Sequence, residues 1–275
     1  MSDEPGRSAG PASVLARWDQ LAERLAGRRP AVFLDFDGTL SPIVERPEDA
    51  AILPEARRAV ERLAEAAPVV VVSGRDRADV AERVGLPDLV YAGSHGFDIA
   101  GPGVRHEAGG ELPPLVERVA AELTEELAGV PGAQVEPKRY TVAVHYRRVA
   151  PEDLGRVEVA IRRALEANPE LERAKGKMVA ELRPRIDWDK GRALLYLLAA
   201  LGLDGPDVVP VYVGDDVTDE DAFRALAERS GGGIGVRVAD EPARTAAAWT
   251  LAGPEEVPGL LDRLRELAVA GRGDG

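Results

Sequence analysis

Three short, strongly apolar runs each stop at a cluster of polar residues. They are AVFLDF (31–36), PVVVV (68–72) and VVPVYVG (208–214). A strand with one face in water alternates apolar and polar residues. These runs do not alternate, so both faces are expected to be covered, as in a parallel sheet flanked by helices. The spacing predicts further strands over 88–93 and 233–238, and helices over 14–27, 54–66, 75–85, 189–202, 219–232 and 254–269. Pro210 suggests a strand start or a sheet edge at that point.

The middle of the chain reads differently. The Gly-rich stretch 101–110 reads as a connection, followed by a helix over 111–129. YTVAVHYR (140–147) and KMVAELRP (177–184) do alternate, so they belong to a half-exposed sheet, with a helix over 151–167 between them. The expected architecture is a Rossmann-like α/β parallel-sheet core with an inserted, smaller α/β cap domain. The expected boundaries are a disordered tail at 1–13, a discontinuous core at 14–104 and 188–270, and the insert at 105–187.

Composition narrows the function. The chain has 275 residues, and 48 acidic against 35 basic side chains leave a net charge of −13. A field of that sign opposes binding to nucleic acid or to an anionic membrane through bulk charge. Cysteine is absent, which removes disulfides, thiolate nucleophiles and zinc–thiolate sites and fits a reducing compartment. With only three histidines, any bound metal must be held mainly by oxygen. The N-terminus has no pattern of a secretory signal, and no apolar run approaches the ~18 residues of a membrane span.

The polar clusters follow three separate strands. Asp35, Asp37 and Thr39 end the first, Ser73 and Arg75 the second, and Asp215, Asp216, Asp219 and Glu220 the third. Open parallel sheets bind ligands beyond the carboxyl ends of their strands. Asp35 and Asp37 point the same way, and two carboxylates at ~4 Å repel by ~4 kcal/mol at an effective dielectric near 20. A hard divalent cation with oxygen ligands, magnesium before calcium, relieves that repulsion. The plain alternative is a polar turn after a strand. For Thr218 and the acidic residues after it, the plain alternative is a helix cap. A cation, a spare carboxylate and a hydroxyl suit phosphoryl transfer. No Walker A loop is present, and without cysteine a carboxylate is the natural covalent nucleophile.

Asp35-Phe36-Asp37-Gly38-Thr39-Leu40 resembles the first motif of the haloacid dehalogenase-like phosphatases. Ser73, Lys190 and Gly214-Asp215-Asp216 resemble their second, third and fourth motifs, in order. LDFDGTLSPIV, VVSGR, GSHGF, ELRPRIDWDKGRAL and VGDDVTDEDAF together resemble the trehalose-6-phosphate phosphatase family over about residues 30–265. The resemblance implies that Asp35 attacks phosphorus and that Asp37 acts as acid and then base. It implies Mg2+ at Asp35, the Asp37 carbonyl and Asp215, with Asp216 or Asp219 outside them. Ser73 would bond a phosphate oxygen, and Lys190 would neutralise the phosphoryl group; Thr39 lies near it. Arg75 faces either the ligand or a local carboxylate.

The same resemblance assigns Lys138, His145 and Glu181 of the insert to sugar hydroxyls. Lys177, Val179, Glu181 and Arg183 share one strand face, and Thr141, Ala143, His145 and Arg147 another. Lys138 has the opposite parity to His145 and reaches the same place only if the chain is irregular near Pro137. His95 contacts sugar or braces its loop, and His106 reads as an ordinary loop residue. The expected protein is a cytoplasmic, monomeric phosphatase of a small sugar phosphate. A phosphatase of sucrose phosphate or mannosyl-3-phosphoglycerate, or an inactive sugar-phosphate-binding module, is the alternative.

Overall fold

A computed structural model describes residues 11–110, 112–176, 178–241 and 243–271. The chain forms two units. One comprises the segments up to His106 and from Trp188 onward, the other is Glu107–Asp187.

The first unit begins with β1 (Ala12–Ser13), α1 (Trp18–Leu25), β2 (Arg29–Leu34) and α2 (Pro54–Ala64). It continues with β3 (Val69–Val72), α3 (Arg77–Val84), β4 (Val90–Gly93), β5 (Asp98–Gly101) and β6 (Val104–Glu107). The second unit contributes α4 (Pro113–Leu127), β7 (Gln134–Pro137), β8 (Val142–His145), α5 (Leu154–Ala167), β9 (Leu171–Gly176) and β10 (Val179–Pro184). The chain then returns through α6 (Lys190–Ala200), β11 (Val208–Gly214), α7 (Asp219–Glu228), β12 (Ile234–Val238), β13 (Trp249–Leu251) and α8 (Val257–Ala270).

The sheet of the first unit runs β1-β13-β12-β11-β2-β3-β4-β5-β6. Every pairing from β1 to β4 in that order is parallel, and β5 turns back antiparallel to β4. Successive residues of a strand feed opposite faces. Val32, Leu34, Val71, Val211 and Val213 pack with Val60, Leu63 and Leu261. Ala31, Phe33, Val70, Val72 and Tyr212 pack with Leu194, Leu197 and Phe223. Two cores on one sheet explain why these strands show no alternation. Each buried Val, Leu or Phe contributes roughly 1.5–3 kcal/mol.

Four expectations are corrected here. The tail does not extend to Ser13, because Ala12 and Ser13 pair with Trp249 and Thr250 at the sheet edge. Val14 N–H still bonds the Thr250 carbonyl at 2.9 Å. The helix expected from 14 therefore begins only at Trp18. Pro210 lies on an interior strand, not an edge. Its register partner is Ala31 of β2, and pairing with β12 starts only at Val211, so no ladder donor is missed there. The Gly-rich connection is in fact the neighbouring strands β5 and β6, turned at Gly103 with φ +77°. Residues 1–10 of the expected tail, and Lys177, lie outside the described residues.

The second unit is a four-stranded antiparallel sheet, β7-β8-β10-β9. One face carries Val142, Val144, Ala180 and Leu182, packed on Val116, Leu123 and Ile161 of α4 and α5. The register puts Glu136, Ala143, His145, Val179 and Glu181 on the opposite face. β7 and β9 were not expected: Pro137 and the charges of Leu171–Gly176 hide their short alternation.

Candidate active site

The chain passes from β2 to β3 on one side and later places β11 on the other side of β2. Connections that leave a strand pair in opposite directions open a crevice at the carboxyl ends. The first residues past those three strands are Asp35, Ser73 and Asp215.

Asp35 is buried, and its Oδ1 lies 2.9 Å from Nζ of Lys190. Lys190 opens α6 and is only 2% exposed, not solvated. Its helix is started by Asp189, whose Oδ1 accepts the Arg192 N–H at 2.8 Å. Nζ also donates to Asp219 Oδ1 at 2.7 Å. Burial opposes the Lys190 charge, but Asp35 and then Asp219 outweigh it and hold the ammonium above its ordinary range. Burial, reinforced by the Asp219 charge, pushes Asp35 well above the usual carboxylate range, with Lys190 opposing.

Asp219 is fully buried and fully engaged. Oδ1 accepts from Lys190 and from the Tyr212 hydroxyl at 2.8 Å. Oδ2 accepts the backbone N–H groups of Asp215 and Asp216, each at 2.9 Å. Four donors fill the ordinary capacity of a carboxylate. Asp219 therefore shapes the loop after β11. Thr218 makes no side-chain cap on α7, so the capping reading of that residue is not what its hydroxyl does. Tyr212 escaped sequence analysis because its hydroxyl sits inside an apolar strand; its burial, then the Asp219 charge, raises its pKa.

Asp215 is different. Its Oδ1 is buried and accepts no hydrogen bond. Burial, then the charges of Asp219 and Asp216, push its pKa up to about 7. Oxygens of Asp35, Asp215 and Asp219 all lie within 4.8 Å of one another. Gly38, at φ +75°, makes room: a Cβ there would stand 2.1 Å from Asp215 Oδ2. A buried carboxylate oxygen lacking a donor, in an all-oxygen cluster, fits a hard divalent cation. Asp35 and Asp215 are the carboxylates with oxygens left to hold it.

Two neighbouring acidic residues turn their carboxylates to other partners. Asp216 is exposed and its Oδ1 accepts from Val217 N–H at 2.6 Å. Asp37 turns its carboxylate to Arg75, which donates from Nε and Nη2 at 2.7 Å each. Arg75 also donates to Asp79 and to the Pro47 carbonyl. Four of its five N–H groups thus serve protein acceptors. Thr39 Oγ1 is buried with no hydrogen-bond partner. Ser73 Oγ accepts the Arg75 backbone N–H at 3.1 Å, which leaves its own proton to donate.

His95 sits in the left-handed region at φ 58°, beside Ser94 at φ 50°. Such backbone persists only where the surroundings dictate it. Here His95 N–H bonds the Ser73 carbonyl at 2.8 Å and Ser94 N–H bonds the Arg75 carbonyl at 2.7 Å. A side chain on Gly74 would meet the His95 ring at 2.8 Å. The GSHG loop is thereby bolted to the loop carrying Ser73. His106, taken for an ordinary loop residue, instead stacks on Tyr196, with ring centroids 4.2 Å apart, and lies 5.2 Å from Trp188.

Within the insert, β7 ends at Pro137, and Lys138 N–H bonds the Thr141 carbonyl. That irregular turn overcomes the parity difficulty. Lys138 Nζ reaches 3.6 Å from Glu181 Oε1, which also accepts the Thr141 hydroxyl at 2.8 Å. His145 Nε2 pairs with Glu136 Oε2 at 2.8 Å on the same sheet face. Arg183 is tied to Glu172.

A family model described as trehalose-phosphatase matches residues 33–255. A trehalose 6-phosphate phosphatase of Zea mays is 43% identical over 268 residues, covering 92% of this chain and 74% of that protein. A trehalose-phosphate phosphatase of Mycobacterium bovis is 48% identical over 256 residues, covering 91% of this chain; the chain spans only 65% of that relative's length. The C-terminal domain of the Candida albicans trehalose-6-phosphate phosphatase shares the fold, with a TM-score of 0.73 at 23% identity over 95% of this chain and 99% of that one. Motifs, fold and relatives agree: the chain belongs to the trehalose-phosphatase family.

Proposed function

We propose that this protein hydrolyses trehalose 6-phosphate to trehalose and phosphate in the presence of Mg2+, in the reducing cytoplasm. The observation that carries the chemistry is the buried Lys190–Asp35 contact beside the donor-free oxygen of Asp215. Lys190 pins Asp35 Oδ1, so the other oxygen is the one that attacks phosphorus. The bond from phosphorus to the sugar oxygen breaks, and Asp37 gives that oxygen its proton. A water then loses a proton to Asp37 and attacks the aspartyl-phosphate. Phosphate leaves, the Asp35 carboxylate is restored, and Asp37 is protonated for the next cycle. Asp35 and Asp215 would hold Mg2+, which supplies positive charge against the phosphoryl oxygens. Ser73 and Thr39 donate to those oxygens, and Lys190 opposes protonation of the nucleophile.

The sugar is assigned to Lys138, His145 and Glu181. Their support is chemical: paired donors and acceptors on an exposed sheet face suit hydroxyl groups. His95 is assigned to bracing the Ser73 loop, and Arg183 and Asp216 to no direct contact.

The test is phosphate release from trehalose 6-phosphate, sucrose 6-phosphate and mannosyl-3-phosphoglycerate, with Mg2+ or EDTA. Fastest turnover of trehalose 6-phosphate, lost in EDTA and in Asp35→Asn, is expected. Preference for another substrate removes the assignment of the sugar, and turnover by Asp35→Asn removes the nucleophile.

A further inference from the structure

We infer that Arg75 is a positioning residue, which sets the direction of the Asp37 carboxylate; this rests on the reading of Asp37 as acid and base. The contact is a fork. Nε donates to Oδ2 and Nη2 to Oδ1, each at 2.7 Å. Two parallel bonds fix the plane and direction of a carboxylate, where one bond leaves it free to swivel.

The fork is itself held from three sides. Nη1 donates to Asp79 Oδ2 at 3.0 Å, and Nη2 donates also to the Pro47 carbonyl at 2.9 Å. The Phe36 ring lies 5.5 Å from the guanidinium carbon. Asp79 is in turn fixed by Arg83, whose Nε donates to its Oδ1 at 2.8 Å. Arg83 reaches across to the carbonyls of Glu48 and Ala50. The Arg75 side chain is only 13% exposed while Asp37 is 39% exposed, so the anchored partner is the arginine. Its donors are too far committed for it to serve as a phosphate ligand: one N–H of five remains.

Proton transfer needs the acid within hydrogen-bond reach of the leaving oxygen. When Asp37 carries the proton for the sugar, one of its oxygens leaves the fork while the other keeps it. The carboxyl therefore turns about a fixed guanidinium instead of sampling every rotamer. In the second half-reaction both oxygens are again acceptors, which is the state the fork favours.

The experiment compares trehalose 6-phosphate, glycerol phosphate and p-nitrophenyl phosphate on the full chain with Mg2+. Nitrophenolate leaves without a proton; the two alkoxides do not. A misplacement of about 1 Å costs roughly 100-fold, so Arg75→Ala should lower kcat on both alkyl substrates by that order. On p-nitrophenyl phosphate the fall should stay under about 5-fold, with every KM within about 2-fold, since no binding group is removed. Arg75→Lys, which cannot fork, should recover only part of the loss. Asp79→Asn should reproduce it more weakly. Adding Arg75→Ala to Asp37→Asn should cost at most about 2-fold more on the alkyl substrates, because the two act as one unit. An equal fall on all three substrates, a rise in KM with kcat kept, or a full second loss in the double variant would overturn the proposal. Where Arg75→Ala does not fold, Arg75→Lys and Asp79→Asn decide by the same ratios. A wild type that cleaves glycerol phosphate but not trehalose 6-phosphate removes the sugar assignment alone, and the alkyl-to-aryl ratio still tests Arg75. A wild type inert on all three sinks both.

Discussion

At the scale of single residues, the site is a crowd of negative charge arranged around one missing donor. Asp219 is satisfied four times over, Asp35 has Lys190, and Asp215 has an oxygen with nothing. A pH dependence follows. The folded pKa of Asp215 is raised to about 7, above its unfolded value, so its contribution to stability is complete below the unfolded pKa. It is lost as pH rises through the folded value. In EDTA, thermal unfolding should therefore shift to lower temperature between about pH 4 and pH 7. Mg2+ should abolish that shift by replacing the proton, and a Tm that is flat with pH in EDTA would argue against an orphaned Asp215. Gly38→Ala sharpens the same point. A methyl group 2.1 Å from Asp215 Oδ2, at φ +75°, must displace that carboxylate. Phosphate release should fall at least ~10-fold. The accompanying loss of stability should be about 1 kcal/mol, by denaturant titration.

How far the letters reveal such a site differs from residue to residue. Asp35, Ser73, Lys190 and Asp215 stand at the ends of buried strands or at the start of an apolar helix, so spacing alone brings them to one edge. The third carboxylate of the cluster is less legible. Asp216 and Asp219 are acidic residues three apart, in the loop after β11 and at the start of α7, and burial separates the exposed one from the fully enclosed one. The Arg75–Asp37 fork joins positions 38 residues apart, and no periodicity reports such a pairing.

At the scale of elements, α6 does the positioning. It starts at Asp189 and packs so closely on α7 that a Cβ on Gly191 would lie 2.5 Å from the Asp221 carbonyl. The two helix starts therefore carry Lys190 and Asp219 together. Asp189→Ala removes the cap and should cost about 1 kcal/mol. It should also lower kcat on aryl and alkyl phosphates alike, since Lys190 serves the nucleophile and not the leaving group. A selective loss on one class would contradict that division of labour. The elements hardest to read were the small ones. β1 and β13 are two and three residues long, and β5 and β6 hide among glycines. Strands so short have too few positions for an alternation to show, and their pairing is decided by neighbours distant in sequence.

At the scale of the molecule, each unit has its own core. Val116, Leu123, Val144, Ile161 and Leu182 pack together in the core of the insert. Leu182→Ala leaves a cavity at a fully buried position and should cost 2–5 kcal/mol, by the usual range for such truncations. The damage should stay in the insert: faster proteolysis between Glu107 and Asp187, and lower turnover of trehalose 6-phosphate, with p-nitrophenyl phosphate hydrolysis largely kept. Equal loss on both substrates would show that the two cores unfold as one.

The contact of His106 with Trp188, beside its stack on Tyr196, has a consequence for modularity. The chain departs from the catalytic unit at His106 and re-enters it at Trp188, and those two rings stand 5.2 Å apart. One side-chain contact thus marks both crossings of the chain between its units. An exchange of Glu107–Asp187 for another recogniser therefore needs only two junctions, one on each side of this aromatic contact.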